Sequence, residues 1–288
     1  MKKLLLSVSL IALSTNTVWA QDFYGYIGAT AQINHVDNIV NDPAVGGADN
    51  EPFDFNQYGV AGAFGMDFAN GFYGQIDFRY QKTDVPSNAD DVLHEGSLIA
   101  LRGGKDFGAY NAGGFIGYVD ITGDRVSDNR KMQRVVYGID GTYAISNSVS
   151  LFGELGGIGG PMGDQGTGGD DGIHDAYYAI TGLEYALSPA LALAGQVGYA
   201  RGTHDNDRLD LSFAGVAISY QTNVPGLSTY LRADYTNFYQ FVEDDGLAST
   251  TVQLGLNYAF GAGSASANRL RPLAPYEDWL GYSGGHLE

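Results

Sequence analysis

Four of the five histidines, His35, His94, His174 and His204, stand in acidic surroundings, and His174-Asp175 and His204-Asp205 set a carboxylate directly beside an imidazole. That pairing is the raw material of a general base that activates water. The same stretches collect acids: Asp37, Asp42, Asp49, Glu51 and Asp54; Asp90 and Asp91; Asp164, Asp170 and Asp171; Asp205 and Asp207; Glu243, Asp244 and Asp245. Hard divalent cations take such oxygen ligands. The spacing matches no EF-hand or glycine-rich calcium repeat, and acidic segments bring Asp next to His by chance. Solvation is the simpler reading of these clusters, so neither a metal site nor a cofactor is assigned.

A second chemical set is spread through the chain at regular positions: Gln75, Asp77, Arg79, Arg102, Arg134, Asp140, Glu154, Glu184, Arg232 and Asp234. Around them polar and apolar residues alternate, which in extended backbone puts the two kinds on opposite faces. Residues 72–82 show it best, with Phe72, Ile76, Phe78 and Tyr80 against Tyr73, Gln75, Asp77, Arg79 and Gln81. One face suits lipid and the other an aqueous lumen.

The elements that would carry these residues are about twelve strands, near 22–34, 57–68, 72–82, 95–104, 112–121, 134–145, 149–156, 176–187, 191–201, 209–221, 229–241 and 252–260. In the fifth, the alternation is read with Phe115, Val119 and Ile121 outward and Asp120 inward. In the tenth, parity shifts from Leu209, Leu211 and Phe213 to Val216, Ile218 and Tyr220, which predicts a bulge at Ala214-Gly215. Ala69-Asn70-Gly71 is a hairpin signal. Connections are alternately short and long, the long ones acidic. Outward aromatics fall near the strand ends, with Phe23, Phe68, Phe72, Tyr143, Tyr185, Tyr220 and Phe260 at one end and Tyr58, Tyr80, Tyr137, Tyr177, Tyr199 and Phe241 at the other. Rings with a polar tip favour membrane interfaces. Many inward positions are Gly or Ala, among them Gly28, Gly59, Gly65, Gly138, Gly198 and Gly255, which predicts open volume.

Met1-Lys2-Lys3, an apolar run from Leu4 to Leu13 and Val18-Trp19-Ala20 form a secretory leader with a small-residue cleavage site, so residues 1–20 are removed and Gln21 begins the mature chain. The run is too short to cross a bilayer as a helix. Loss of Lys2 and Lys3 lowers the basic count from 15 to 13 against 33 acids, a formal charge of −20 rather than −18. Nucleic acid is excluded as a partner on that balance. With no cysteine, disulfides and thiolate metal sites are excluded too. Glycine, at 42 of 288 residues, is about twice its usual share, and aromatics recur throughout, unlike a disordered chain.

The last strand, Val252 to Phe260, contains Gly255-x-x-Tyr258-x-Phe260, which resembles the terminal strand of bacterial outer-membrane β-barrels. With the leader and the hairpin rhythm, residues 21–260 look like a small porin-like barrel of Gram-negative bacteria. The resemblance implies an all-β, transmembrane, antiparallel up-and-down β-barrel of even strand number, twelve here, with ten and fourteen as the neighbouring counts. It implies Gly255, Tyr258 and Phe260 as the signal for the barrel-assembly machinery, outer-membrane lipid and lipopolysaccharide as surroundings, and both termini in the periplasm. The family ends on its aromatic residue, whereas here residues 261–288 follow. Their Gly-Ala-Gly-Ser start reads as a linker; the aromatic segment beyond it is either a loose periplasmic extension or docks at the barrel mouth and restricts it.

The ten polar residues are then lumen-lining, as a constriction or as a network of mutually satisfied charges. The function read from this is passive diffusion of small polar solutes, with the acidic mouth favouring cations and neutral solutes. The alternatives are a non-conducting structural or adhesion barrel, or an omptin-like rim protease using the His-Asp pairs. The channel reading assigns no enzyme activity.

Overall fold

In a computed structural model the chain is described over residues 23–40, 52–84, 95–124, 129–160, 173–204, 207–240, 245–261 and 274–276, together with Trp279 and Leu280. The leader, His94, Phe241 and the acidic residues Asp42, Asp49, Glu51, Asp90, Asp91, Asp164, Asp170, Asp171, Asp205, Glu243 and Asp244 lie outside the described residues.

Period-two alternation becomes twelve strands: β1 (Phe23–Val40), β2 (Phe53–Asp67), β3 (Phe72–Asp84), β4 (Glu95–Asp106), β5 (Tyr110–Asp124), β6 (Asn129–Ala144), β7 (Val149–Ile158), β8 (His174–Ala186), β9 (Leu191–His204), β10 (Asp207–Gln221), β11 (Leu227–Gln240) and β12 (Asp245–Gly261). Each pairs antiparallel with its chain neighbours, and β12 returns to β1 in register from Tyr24↔Gly261 to Val40↔Asp245. The ring is closed, so every strand has a paired neighbour on both sides. At the Ala69–Gly71 turn, Asn70 (φ 66°) and Gly71 (φ 77°) both take the left-handed conformation that tight hairpins require.

Most strands run further than the alternation predicted, by the largest margins at the end away from the short turns. β1 continues to Val40, β6 starts at Asn129 and β12 at Asp245. Only 205–206 separate β9 from β10, so a connection read as loop is mostly ladder, with His204 opposite Asp207. On β1 the outward face changes from Ile33, 60 % exposed, to the polar His35 and Asp37. The apolar band ends there and the wall continues into water.

Outward side chains build that band. Phe23, Phe72, Tyr143 and Tyr220 lie exposed near the turns, Tyr58, Tyr80, Tyr137 and Tyr177 near the far end, and Ile99, Leu155, Val216 and Leu254 between. Such a continuous exposed apolar surface is what lipid covers.

Two strands differ from expectation. In β5 it is Ile116 that faces out, 57 % exposed, while Phe115, Val119 and Ile121 are buried inside and Asp120 lies on the outer face. In β10 pairing to β9 and β11 is continuous, with no bulge at Ala214-Gly215; Leu209, Leu211 and Phe213 point inward and Asp210 and Ser212 outward. Both errors assumed that apolar means lipid-facing. Here the outer part of the lumen is itself apolar, so β10 keeps one parity throughout. The irregularity lies instead in β8, between His174 and Tyr177, where Asp175 has a φ of 46°.

Inward glycines do not leave free volume. Gly65, Gly138, Gly156, Gly182, Gly198 and Gly255 lie directly opposite Tyr24, Phe115, Tyr178, Phe152, Phe213 and Tyr230 across a strand pair. Each ring lies against its glycine so closely that a Cβ would collide with it. Gly28 and Gly59 are likewise covered, by Asn257 and Thr30. Such cross-strand pairs are the unit of sheet stabilisation, and they line the wall with flattened rings.

Candidate functional site

The lumen has a polar middle. Arg102, on β4, stands between Asp77 on β3 and Asp140 on β6, with nitrogen to oxygen distances of 3.5 Å to each. Its side chain is 3 % exposed. Gln75 Nε2 donates to Asp77 at 2.8 Å. On β11, Arg232 grips Asp234 through two bonds of 2.5 and 2.8 Å. Next to it Gln253 Nε2 donates to Gln32 Oε1 at 3.0 Å, and Gln32 donates to Gln57. Buried charges are costly unless paired, and here each of these charges stands beside an opposite one within the wall.

Two charges turn to another task. Arg79 donates to the Ala274 carbonyl at 2.9 Å. Glu154 accepts the Tyr178 hydroxyl at 2.7 Å and the Tyr276 hydroxyl at 3.0 Å, and Tyr178 and Tyr276 hydroxyls also touch each other. Ala274 and Tyr276 belong to the C-terminal tail, so the docked arrangement is the one the described tail residues adopt. Trp279 continues the contact, with ring centroids 5.4 Å from Tyr178, 5.5 Å from Phe213 and 5.8 Å from Tyr276. The segment folds on itself through Trp279 N–H to the Pro275 carbonyl at 3.1 Å. Tyr276, Trp279 and Leu280 are buried to within 1 % of full exclusion from solvent.

These three join one cluster with the inward apolar residues beyond them, including Leu98, Val119, Val136, Phe152, Leu211 and Phe238. Below the cluster remains a cavity of about 210 Å³. Of the ten residues expected to line the lumen, Asp77, Arg79, Arg102, Asp140, Glu154, Arg232 and Asp234 border it, as do Ala274, Pro275 and Trp279 of the tail. Gln75 is on the inner face behind Asp77. Arg134 is fully buried on the inner face of β6 and donates to the Gln133 carbonyl at 3.2 Å. Glu184 faces inward two residues from the turn end of β8. The reading of the charges as either constriction or network therefore divides by residue: Arg102 and Arg232 hold the wall, while Arg79 and Glu154 hold the tail.

Tyr178 and Phe152 were not singled out from the sequence, and Phe213 was read with the outward residues of its strand. Phe213 was legible by reading β10 backwards from Tyr220, Ile218 and Val216 without breaking parity. Tyr178 had no local signal, because its role depends on Gly156 opposite and on a tail 98 residues away.

At the far rim, His35 Nδ1 lies 2.6 Å from Asp54 and Nε2 3.3 Å from Asp37. The hydrogen bond that His35 donates to Asp54 and the charge of Asp37 hold its pKa above the usual histidine value. His174 Nδ1 is 3.3 Å from Asp175. Among the described residues no group of His, Asp and Glu is arranged to hold a metal ion. Tyr258 and Phe260 are exposed on the outer face of β12, whereas Gly255 faces in beneath Tyr230.

No family model and no curated protein matches this chain. Among solved structures, an outer-membrane channel from Pseudomonas putida F1 superposes with a TM-score of 0.56 at 13 % identity, over 85 % of this chain and 97 % of that one. The NanC porin gives a TM-score of 0.49 at 10 % identity, over 79 % and 98 %. The KdgM porin gives 0.46 at 12 %, over 80 % and 99 %. The fold is that of an outer-membrane β-barrel, as in the Pseudomonas putida structure.

Proposed function

We propose that this protein is an outer-membrane channel for small polar solutes whose pathway is restricted by its own C-terminal segment. The observation that carries the reading is the cavity bordered both by the charged wall residues Arg102, Asp77 and Asp140 and by Ala274, Pro275 and Trp279 of the tail. A wall with its charges paired presents both signs to a passing solute, while Arg79 and Glu154 also bond to tail groups that can leave. The Pseudomonas putida structure that shares the fold is itself a channel. In this reading the short turns and both strand termini, Phe23 and Gly261, face the periplasm, the acidic end faces outward, and lipid and lipopolysaccharide surround the band.

A second reading, a non-conducting structural barrel, is favoured by the apolar filling of the outer lumen, where Val36, Leu209, Leu211 and Phe238 are all fully buried. Single-channel recording in planar bilayers separates the two. The full chain should conduct in small, infrequent steps, and a chain ending at Phe260 in larger ones. Silence from both, in protein shown to be folded by its heat-dependent gel mobility, would select the structural barrel.

A further inference from the structure

The tail does more than fill space: its contacts are those of a recognised ligand. Arg79 takes a carbonyl, Glu154 takes a phenol hydroxyl, and the two tail rings fit against Tyr178 and Phe213. The wall contributes its own shape to these contacts. Phe213 lies against Gly198 and Tyr178 against Gly156, each glycine allowing its ring to sit back from the lumen axis. Glu154 receives the Tyr178 hydroxyl from its own wall, which orients the carboxylate and leaves it with acceptor capacity facing the lumen.

We propose that the place held by Tyr276 and Trp279 is the solute-binding site of the channel, and that its ligands are small aromatic amides carrying a phenolic donor. The tail is the resident competitor at that site, and a solute enters by taking over the Glu154 and Arg79 contacts and the ring shelf of Tyr178 and Phe213. The assignment rests on the channel reading for its transport role, but binding itself is tested separately. A solute with only polar groups leaves the ring shelf wet. One with only a ring sets apolar surface against the lumen side of Glu154 and Arg79 and replaces neither tail hydrogen bond, a loss that is penalised in a buried site. The combination of donor, carbonyl and ring is what the site discriminates.

The experiment uses the full mature chain, in which Trp279 is the sole tryptophan once Trp19 leaves with the leader. Emission is excited at the red edge of indole absorption, where tyrosine is silent. N-acetyl-tyrosinamide should shift Trp279 emission to the red, saturably, as the indole moves to water. N-acetyl-phenylalaninamide, lacking the hydroxyl, should need about tenfold more, and N-acetyl-serinamide should do nothing at the same concentrations. In Tyr276→Phe, which keeps the tail's shape but drops its bond to Glu154, the midpoint for N-acetyl-tyrosinamide should fall about tenfold. The assignment is overturned if Trp279 ignores N-acetyl-tyrosinamide in both chains, if the serine compound acts equally well, or if the midpoint is the same in both chains. Currents recorded from the same samples keep the two ideas apart. Current without a Trp279 response removes the site and leaves the channel; a Trp279 response without current leaves the site and removes the channel.

Discussion

Tyr276 reaches Glu154 across 122 residues of sequence, its hydroxyl 3.0 Å from Oε1. The bond joins the end of the chain to the middle of the barrel wall, and Tyr178 completes the triangle from the next strand. A hydrogen bond to a charged acceptor contributes about 1.5–3 kcal/mol, enough to keep the tail in place most of the time without making it permanent.

Glu154→Gln should therefore loosen the tail while leaving the barrel folded. The expected result is roughly a tenfold or greater gain in the accessibility of Trp279 to a water-soluble quencher, with larger conductance steps. Unchanged quenching would mean that ring packing on Tyr178 and Phe213 alone holds the segment.

Arg102 is a different kind of charge. Its removal in Arg102→Met leaves Asp77 and Asp140 facing each other in a nearly dry wall, and the loss should be about 3 kcal/mol, within the range for breaking a buried pair. The check is the midpoint of unfolding in urea in lipid vesicles. Asp77→Asn combined with Asp140→Asn in the Arg102→Met background should recover part of the loss, since the facing charges are gone.

Gly198→Leu should cost about 1–3 kcal/mol through the overpacking it forces on Phe213, and the displaced ring would also narrow the lumen. Gly195→Ala is the control. Its Cβ would point outward and meet nothing nearer than the Gly215 oxygen at 4.0 Å, so its effect should stay within about 0.5 kcal/mol. Unfolding midpoints of both variants decide it.

The His35 cluster ties the outer ends of β1 and β2 in a pH-dependent way. Since the folded pKa is raised, the contribution is complete below the free-histidine value, near about 6.5, and is lost as pH rises through the higher folded value. NMR titration of His35 should give a midpoint above that of a free histidine. In Asp54→Asn the midpoint should fall, because the largest cause of the shift has been removed.

The sequence carried the architecture because alternation, turn residues and loop rhythm are local properties. Asn70-Gly71 specified its turn by backbone conformation alone, and Phe72 to Gln81 specified both faces of its strand. What it did not carry is who faces whom. Phe213 opposite Gly198 and Phe115 opposite Gly138 are cross-strand facts, visible only once register is fixed, and without them an inward aromatic reads as a lipid-facing one. The role of the tail was legible only as a choice between two readings, because Tyr276 and Trp279 find their partners on strands remote in sequence.

Tail contacts fall on β3 through Arg79 and on β7, β8 and β10 through Glu154, Tyr178 and Phe213. In a ring of twelve staves, β3 lies across the diameter from the arc between β8 and β10. The segment is thus a strut as well as a stopper. A hoop braced across its width resists being flattened by lateral pressure in the bilayer, so releasing the tail softens the barrel at the same moment that it clears the way through.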